Sequence, residues 1–131
     1  MKLLLDTHTL LWFIAGSASL SAYAQSLIED TTNEKYVSIA NIWETAIKVS
    51  IGKMSLSAPF DVLFPHQLEI NGFELLPVKV EHTSVITTLP FHHRDPFDRL
   101  LIAQAIEEKM TLVSVDEVFD DYGIRSCLKI N

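Results

Sequence analysis

The chain has a single cysteine, few positive charges and no long apolar run. Cys127 cannot form an internal disulfide, and the sequence has no metal-binding partners at zinc spacing from it. No window approaches the roughly 20 apolar residues that a membrane span needs, and the short apolar N-terminus ends at Asp6, too early for a signal peptide. We therefore expect a soluble, cytoplasmic protein that has no membrane partner.

The shortage of positive charge restricts the possible partners. Ten Lys and Arg stand against 17 Asp and Glu, which gives a formal net charge of −7. Affinity for nucleic acid comes mostly from Lys and Arg contacts with phosphate, so this balance argues against a nucleic-acid binder. The conflict disappears only if the acids are concentrated where a cation neutralises them.

The apolar content predicts a folded domain. Of the 131 residues 48% are hydrophobic and 21% are charged, which is typical of one globular domain, here residues 1–131. Short apolar runs alternate with segments of helical spacing, which predicts an α/β fold with a mainly parallel sheet of four or five strands. The predicted strands are 3–5, 35–38, 73–76, 111–114 and 124–130, and the predicted helices are 9–15, 19–30, 39–50, 59–70, 81–89, 97–109 and 116–121.

Acidic residues follow the predicted strands at the edge where parallel sheets bind ligands. Four of them come from separate segments: Asp6, Glu44, Asp98 and Asp116. Carboxylates brought together repel one another unless they are protonated or hold a cation, and an all-oxygen set favours Mg²⁺ or Mn²⁺. One or two such ions would bind a phosphodiester and activate water against it. Metal-dependent phosphodiester hydrolysis therefore resolves the charge conflict.

Each acid also has a purely structural interpretation. Asp95 and Pro96 read as the N-cap and first residue of a helix, with Asp98 in its first turn, and Asp116 is placed to cap the next short helix. Glu44 is placed to pair with Lys48 four residues later. The convergence of the acids, rather than any one of them, favours the metal site.

Several basic and aromatic residues accompany the acids. Lys48 either neutralises Glu44 or steers phosphate, and His8 lies at the pocket rim or is structural. Trp43 is expected to face the core and to take no part in base stacking. Four basic residues flank Asp98: His92, His93, Arg94 and Arg99. They either contact substrate phosphates, or Arg99 pairs with a neighbouring acid and the histidines are solvent-facing loop residues.

Five segments resemble PIN-domain proteins of the VapC-like toxin family, in family order and over nearly the whole chain. They are LLLDTHTLLW, SIANIWETAIKVSIGKM, FELLPV, LPFHHRDPFDRLLIAQA and TLVSVDEVFDDYGI, of which the HHRDPFDRLLIAQA stretch is the most specific. The resemblance implies a three-layer α/β/α sandwich and an endoribonuclease that depends on Mg²⁺ or Mn²⁺. It also implies a homodimer and an antitoxin whose C-terminal segment crosses an apolar groove beside the acidic pocket.

The resemblance assigns roles to individual residues. It makes Asp6, Glu44 and Asp98 metal-binding acids and Asp116 a fourth, more variable one. Asp95 is then a helix cap with possible work outside the metal shell, and Ser38 a small hydroxyl near the site. Four apolar residues either help to line the antitoxin groove or belong to the core: Leu10, Leu11, Trp12 and Phe13.

Two other functions compete with a ribonuclease. A phosphorylated receiver domain also carries an Asp cluster on a parallel sheet, but it needs adjacent acids after the first strand, and here Asp6 is followed by Thr7. It also needs a phospho-acceptor Asp after a middle strand, where Leu76 leads to Pro77 instead. The other competitor is a binding module whose nuclease activity is lost or is masked by a partner.

Overall fold

The computed structural model describes residues 1–91, 95–114 and 128–129, and these ranges form an α/β fold. The strands are β1 Lys2–Leu5, β2 Glu34–Ser38, β3 Phe73–Leu76, β4 Thr111–Ser114 and β5 Leu128–Lys129. The helices are α1 Thr7–Ala15, α2 Ala22–Glu29, α3 Ile39–Ser50, α4 Phe60–Val62, α5 Leu68–Ile70, α6 Val80–Ile86 and α7 Pro96–Glu107, with a kinked segment at Leu63–Gln67 between α4 and α5.

The five strands form one parallel sheet in the order β3-β2-β1-β4-β5. Strand β1 lies in the middle, where Leu4 pairs in register with Tyr36 of β2 and Leu112 of β4. A central parallel strand is covered on both faces, so it needs apolar residues on both sides of the backbone. Accordingly Leu3, Leu4 and Leu5 are all fully buried.

Helices cover both faces of the sheet. On one face Leu3 and Leu5 join a core cluster with residues of α1, α2 and the 60–70 region. On the other face Leu4 packs with residues of α7, among them Leu101 and Ile102. The predicted three-layer α/β/α sandwich with a parallel sheet is therefore confirmed.

The winding of the chain reverses beside β1. Strands are added outward from β1 to β2 to β3, and the chain then returns past β1 to place β4 on its other side. Right-handed crossovers require the helices of these two directions to lie on opposite faces of the sheet. The connections therefore diverge at the carboxyl ends of β1 and β4, which leaves a crevice there.

The predicted helix 59–70 is wrong as a continuous element. It is interrupted at Phe64, whose backbone is extended at φ −124° and ψ 121°. Phe64 precedes Pro65, and the proline ring disfavours helical geometry in the residue before it. The Phe64 side chain is buried in the core, so a helical apolar pattern and a broken backbone coexist in this segment.

Other helix ends differ from the sequence expectation by a few residues. Helix α1 begins at Thr7, two residues before its predicted start, and α6 spans Val80–Ile86 where a helix over 81–89 was expected. Helix α3 ends at Ser50, and Gly52 follows with φ +75°, a left-handed conformation suited to the predicted glycine stop. The predicted helix 116–121 and most of the predicted strand 124–130 lie outside the described residues.

Among the helices that the structure describes, none combines the length and apolarity needed to cross a membrane.

A buried histidine joins α6 to the end of α7. The ring of His82 is fully buried, and its Nδ1 accepts a hydrogen bond of 3.0 Å from the Lys79 N–H. The proton therefore resides on Nε2, which lies 3.2 Å from Oε2 of Glu108. This hydrogen bond, assisted by the Lys79 ammonium at 3.8 Å, holds the pKa of Glu108 below its ordinary value of 4.5.

Replacing Glu108 by Gln should remove a pH-dependent part of the stability. Because the pKa of Glu108 is lower in the folded than in the unfolded chain, its carboxylate stabilises the fold fully above about pH 4.5. That contribution is lost as the pH falls through the lower folded-state pKa. Urea unfolding should therefore find wild type more stable than Glu108→Gln at pH 7, with a smaller difference at a pH well below 4.5. Glu81→Gln, at an exposed position on α6, is the control. An equal wild-type advantage at both pH values would contradict this account.

Candidate active site

An acidic pocket of about 330 Å³ lies at the carboxyl ends of the central strands. It contains three of the four acids predicted from sequence, and Asp95 as well. The remaining predicted acid, Asp116, lies outside the described residues. The pocket is lined by Asp6, Thr7, His8, Asn41, Glu44, Lys48, Met54, Asp95, Asp98 and Leu101.

Asp6 is fixed between the two strands that flank the crevice. Its backbone N–H donates to the carbonyl of Val113 in β4 at 3.2 Å. Its Oδ1 caps α1 by accepting from the Thr9 N–H at 2.9 Å, and its Oδ2 accepts from the hydroxyl of Ser114. A helix cap of this kind contributes about 1 kcal/mol. The carboxylate that opens the pocket is therefore oriented by contacts on both of its oxygens.

Glu44 reaches the pocket from α3. Ser38 starts this helix, since its buried hydroxyl accepts from the Ala40 N–H at 3.1 Å. Oε1 of Glu44 lies 3.4 Å from the hydroxyl of Thr7, and Oε2 lies 3.4 Å from Nζ of Lys48. The Glu44 side chain is only 12% exposed, so its two oxygens are turned toward the pocket interior.

Asp95 and Asp98 enter from the start of α7. Asp95 is the N-cap, and its Oδ1 accepts from the N–H groups of Phe97 at 2.9 Å and Asp98 at 3.3 Å. Pro96 occupies the first turn, where its missing N–H costs nothing. The structural interpretation of Asp95 is therefore correct, and the same residue also lines the pocket beside Asp98.

The basic residues divide into pocket and structural groups. Lys48 and the exposed His8 line the pocket. Arg99 does not: it is 9% exposed, its guanidinium donates to the carbonyl of Pro90 at 3.1 Å, and it lies 4.6 Å from the Phe91 ring centroid. It neither pairs with an acid in these contacts nor faces the pocket, but fastens the segment before α7. The predicted accessory residue Arg94, with His92 and His93, lies outside the described residues.

Trp43 does not face the core, contrary to the sequence expectation. Its side chain is 62% exposed, and its ring meets Phe97 edge-on with 5.2 Å between centroids. It belongs to a row of exposed apolar residues at four-residue spacing, the α3 stripe: Ile39, Trp43, Ile47 and Ile51. The expectation for Trp43 rested on helical periodicity, which carries no information on whether the chain itself covers an apolar side chain.

Sequence reasoning missed four residues of the pocket: Thr7, Asn41, Met54 and Leu101. Asn41 is 4% exposed, and its amide donates to the carbonyl of Leu5 at 3.3 Å, which joins α3 to the end of β1. A polar amide within the apolar stretch IANIW was the available signal. Nothing in the sequence marks Met54 or Leu101 as pocket residues.

An apolar groove of about 370 Å³ adjoins the acidic pocket. The two share His8 and Met54. Of the predicted groove residues, Leu11 and Trp12 line it, while Leu10 is buried in the core and Phe13 packs against Phe73. The further apolar lining is Ile14, Ala15, Leu56 and Leu63.

The pocket suits a hydrated divalent cation by donor type and size. Within the described ranges no three His, Cys, Asp or Glu side chains are grouped closely enough to hold an ion between them. Mg²⁺, however, usually keeps several waters and is bound by one or two carboxylates together with substrate phosphates. Six waters occupy about 180 Å³ at roughly 30 Å³ each. The acidic pocket of about 330 Å³ is large enough, and its acids offer the oxygen ligands that such an ion prefers.

Comparison with known proteins agrees with this architecture. The family model described as PIN domain matches residues 3–124. A chain of the crystal structure of VapBC2 from Rickettsia felis, bound to a DNA fragment from their promoter, is similar with a TM-score of 0.67. The similarity covers 93% of each chain at 17% sequence identity, so it is a likeness of fold. A comparison with curated protein sequences finds none that matches.

Proposed function

This chain belongs to the PIN domain family, and from that premise we propose that it is a metal-dependent endoribonuclease, the toxin of a toxin–antitoxin pair. Proteins of this family are generally nucleases and typically use divalent metal ions. The observation that carries the proposal is that Asp6, Glu44 and Asp98, from three separate segments, line one pocket at the point where the sheet reverses its winding.

In this proposal the pocket acids hold Mg²⁺ or Mn²⁺, as one or two ions. Asp6, Glu44 and Asp98 would hold the ions directly or through bound waters, and Asp116 would be the fourth acid by resemblance to VapC-like toxins. When bound, such an ion supplies positive charge to the phosphodiester and acidity to the attacking water. The negative net charge of the chain is then compatible with a nucleic-acid substrate.

The chain's own residues position the acids and the substrate. Ser114 and the Thr9 N–H hold the Asp6 carboxylate, and the Thr7 hydroxyl orients Glu44. His8 and Lys48 line the pocket and would contact substrate phosphates. Arg94, by resemblance, is a further candidate for phosphate contact.

Three other residues hold parts of the backbone in place around the pocket. Asp95 fixes the start of α7, and Ser38 fixes the start of α3. Arg99 donates to the carbonyls of Leu89 and Pro90 and so holds this part of the chain against α7.

The choice of RNA and of the cytoplasm rests on the resemblance to VapC-like toxins. The match to the PIN family supports a nuclease and replaces the receiver-like alternative. The one-domain organisation of residues 1–131 stays a prediction.

The apolar groove supports a protein inhibitor as a second partner. We propose that the C-terminal segment of an antitoxin lies in this groove. Because the groove shares His8 and Met54 with the acidic pocket, a bound segment would end beside the carboxylates. The protein would then be an active nuclease that its partner masks.

The α3 stripe supports a homodimer. Its four apolar side chains are between 37% and 62% exposed, and they follow one another along one side of the helix. A second copy of the chain would cover this side with an identical surface, as twofold dimers do. Since Glu44 lies on the same helix, dimerisation would bring the two acidic pockets close together.

Carboxylate replacements should abolish RNA cleavage by the purified protein. We expect wild type to cleave a labelled single-stranded RNA with Mg²⁺ or Mn²⁺, and Asp6→Asn, Glu44→Gln and Asp98→Asn to lose at least about 100-fold in rate, more than is usual for residues outside a metal shell. Asn at position 6 keeps a side-chain oxygen for the cap of α1, so the fold is retained. Gel analysis of timed digests, with a DNA of the same sequence in parallel, measures the effect.

The matched control is Asp61→Asn, at an exposed position on α4, which should cleave as wild type does. Intact RNA with either ion, or equal activity of Asp98→Asn and Asp61→Asn, would rule out a nuclease at this site. Cleavage of the DNA alone would leave a nuclease but remove the RNA assignment.

Growth arrest should test the toxin role and the groove. Induction in cells should stop growth for wild type but not for Asp98→Asn, and a small DNA-binding protein encoded immediately upstream should restore growth. Leu56→Asp places a charge in the groove, so this variant should stay toxic but resist rescue. Growth curves and sequencing of RNA ends provide the readouts. Full rescue of a toxic Leu56→Asp variant would exclude the groove as the antitoxin site.

A charge on the α3 stripe should separate the homodimer. Trp43→Glu is expected to elute as a monomer in size-exclusion chromatography with light scattering, where wild type is a dimer, because the glutamate would be buried in the interface. Tyr23→Glu changes a comparably exposed aromatic residue (57%) on α2 and should remain dimeric. A monomeric wild type, or a dimeric Trp43→Glu, would refute the proposed interface.

A further inference from the structure

We propose that Lys48 is a built-in counter-ion that neutralises Glu44 until a divalent cation enters the acidic pocket, and that it then transfers to a substrate phosphate. This inference rests on the proposed nuclease function and adds an exchange of partners within its site. Lys48 would be a positioning residue for the metal and a binding residue for RNA.

The first observation is that Glu44 has partners on both carboxylate oxygens. Oε1 lies 3.4 Å from the Thr7 hydroxyl, and Oε2 lies 3.4 Å from Nζ of Lys48. The neutral hydroxyl can stay in place beside a metal ion. The ammonium competes with the ion, because two cations on one carboxylate repel each other. Binding of a divalent ion by Glu44 therefore weakens the hold of Glu44 on Lys48.

The second observation is the charge around Lys48. Among the described residues, it is the only Lys or Arg that lines the acidic pocket, which contains four carboxylates: Asp6, Glu44, Asp95 and Asp98. Without a metal these carboxylates attract the ammonium. A divalent ion offsets two of these four negative charges and itself repels Lys48, so the net attraction on the ammonium falls. The entry of the ion thus loosens the hold on the lysine.

The third observation is that Lys48 is able to move. Its side chain is 41% exposed, whereas that of Glu44 is 12% exposed. A lysine has a long flexible stem and three donors that can turn to a new acceptor, unlike the planar fork of an arginine. Its backbone is held in the last turn of α3, so the freed ammonium stays near the pocket. A substrate phosphate that enters beside the metal is the nearest new anion.

The exchange couples the two ligands. A phosphate that draws Lys48 away frees Glu44 for the metal, and a metal that displaces Lys48 frees an ammonium for the phosphate. Because coupling between binding sites is reciprocal, each ligand should strengthen the binding of the other. The pocket would then hold its metal most tightly when RNA is present.

Binding of Mn²⁺ to the RNA-free protein tests the first half of the exchange. Titration followed by electron paramagnetic resonance should find that Lys48→Gln binds Mn²⁺ about two- to fivefold more tightly than wild type, as expected when a partly exposed ion pair no longer competes. Lys53→Gln removes the same charge from an exposed residue outside the pocket and should change the affinity less than about 1.5-fold. Lys48→Arg keeps a competing cation and should remain within about twofold of wild type.

RNA kinetics test the second half of the exchange, in which removing Lys48 should weaken binding of the ligand instead of strengthening it. With saturating Mn²⁺, Lys48→Gln should raise KM for RNA about three- to tenfold, with a smaller effect on kcat, and should reduce the salt slope of RNA binding by about one. A lysine that only supported the position of Glu44 would instead weaken Mn²⁺ binding when removed. Tighter metal binding together with weaker RNA binding therefore distinguishes the exchange from a lysine that only supports Glu44.

The outcomes separate this inference from the proposed function. If wild type cleaves RNA but Lys48→Gln and Lys53→Gln bind Mn²⁺ equally, the exchange is wrong and the nuclease stands. If Lys48→Gln binds Mn²⁺ more tightly but neither wild type nor any variant cleaves RNA, the counter-ion half stands and the nuclease is wrong. If wild type and Lys48→Gln bind no Mn²⁺, both are overturned.

Discussion

The reversal of winding beside β1 is the constraint on which the site depends. It places β1 and β4 side by side, with their connecting helices on opposite faces, so a crevice opens where both strands end. Asp6 lies at that point, held by the Thr9 N–H and the Ser114 hydroxyl. Helices α3 and α7 then only have to begin near the same edge for Glu44 and Asp98 to reach the pocket.

The acidic pocket also reconciles the charge of the chain with its proposed substrate. Among the described residues, four carboxylates and one lysine line the acidic pocket, and this lysine pairs with Glu44. A site of this kind attracts cations first and phosphate only through them. The shortage of Lys and Arg in the whole chain is therefore no obstacle to the proposed chemistry, since the decisive positive charge would come from the metal.

Two apolar surfaces remain uncovered in the single chain. One is the groove beside the pocket, and the other is the α3 stripe, where Trp43 rests against Phe97. Exposed apolar area of this kind commonly marks protein contacts. Both surfaces adjoin elements that carry pocket residues, α1 for the groove and α3 for the stripe, so partners bound there would act directly on the site.

The sequence by itself determined the strands, most of the helices and the acids that line the pocket. Short apolar runs ending in polar residues predicted the strands, because a central parallel strand must be apolar on both faces. Strand-end acids predicted the edge of the sheet where the pocket lies. Tertiary structure alone decided what each side chain meets: Trp43 faces outward, Arg99 binds loop carbonyls, and Phe64 breaks a helix while filling the core. Periodicity and local spacing reveal which side of a segment is apolar or charged. The surface that this side contacts belongs to a distant part of the chain or to another molecule, so local sequence does not specify it.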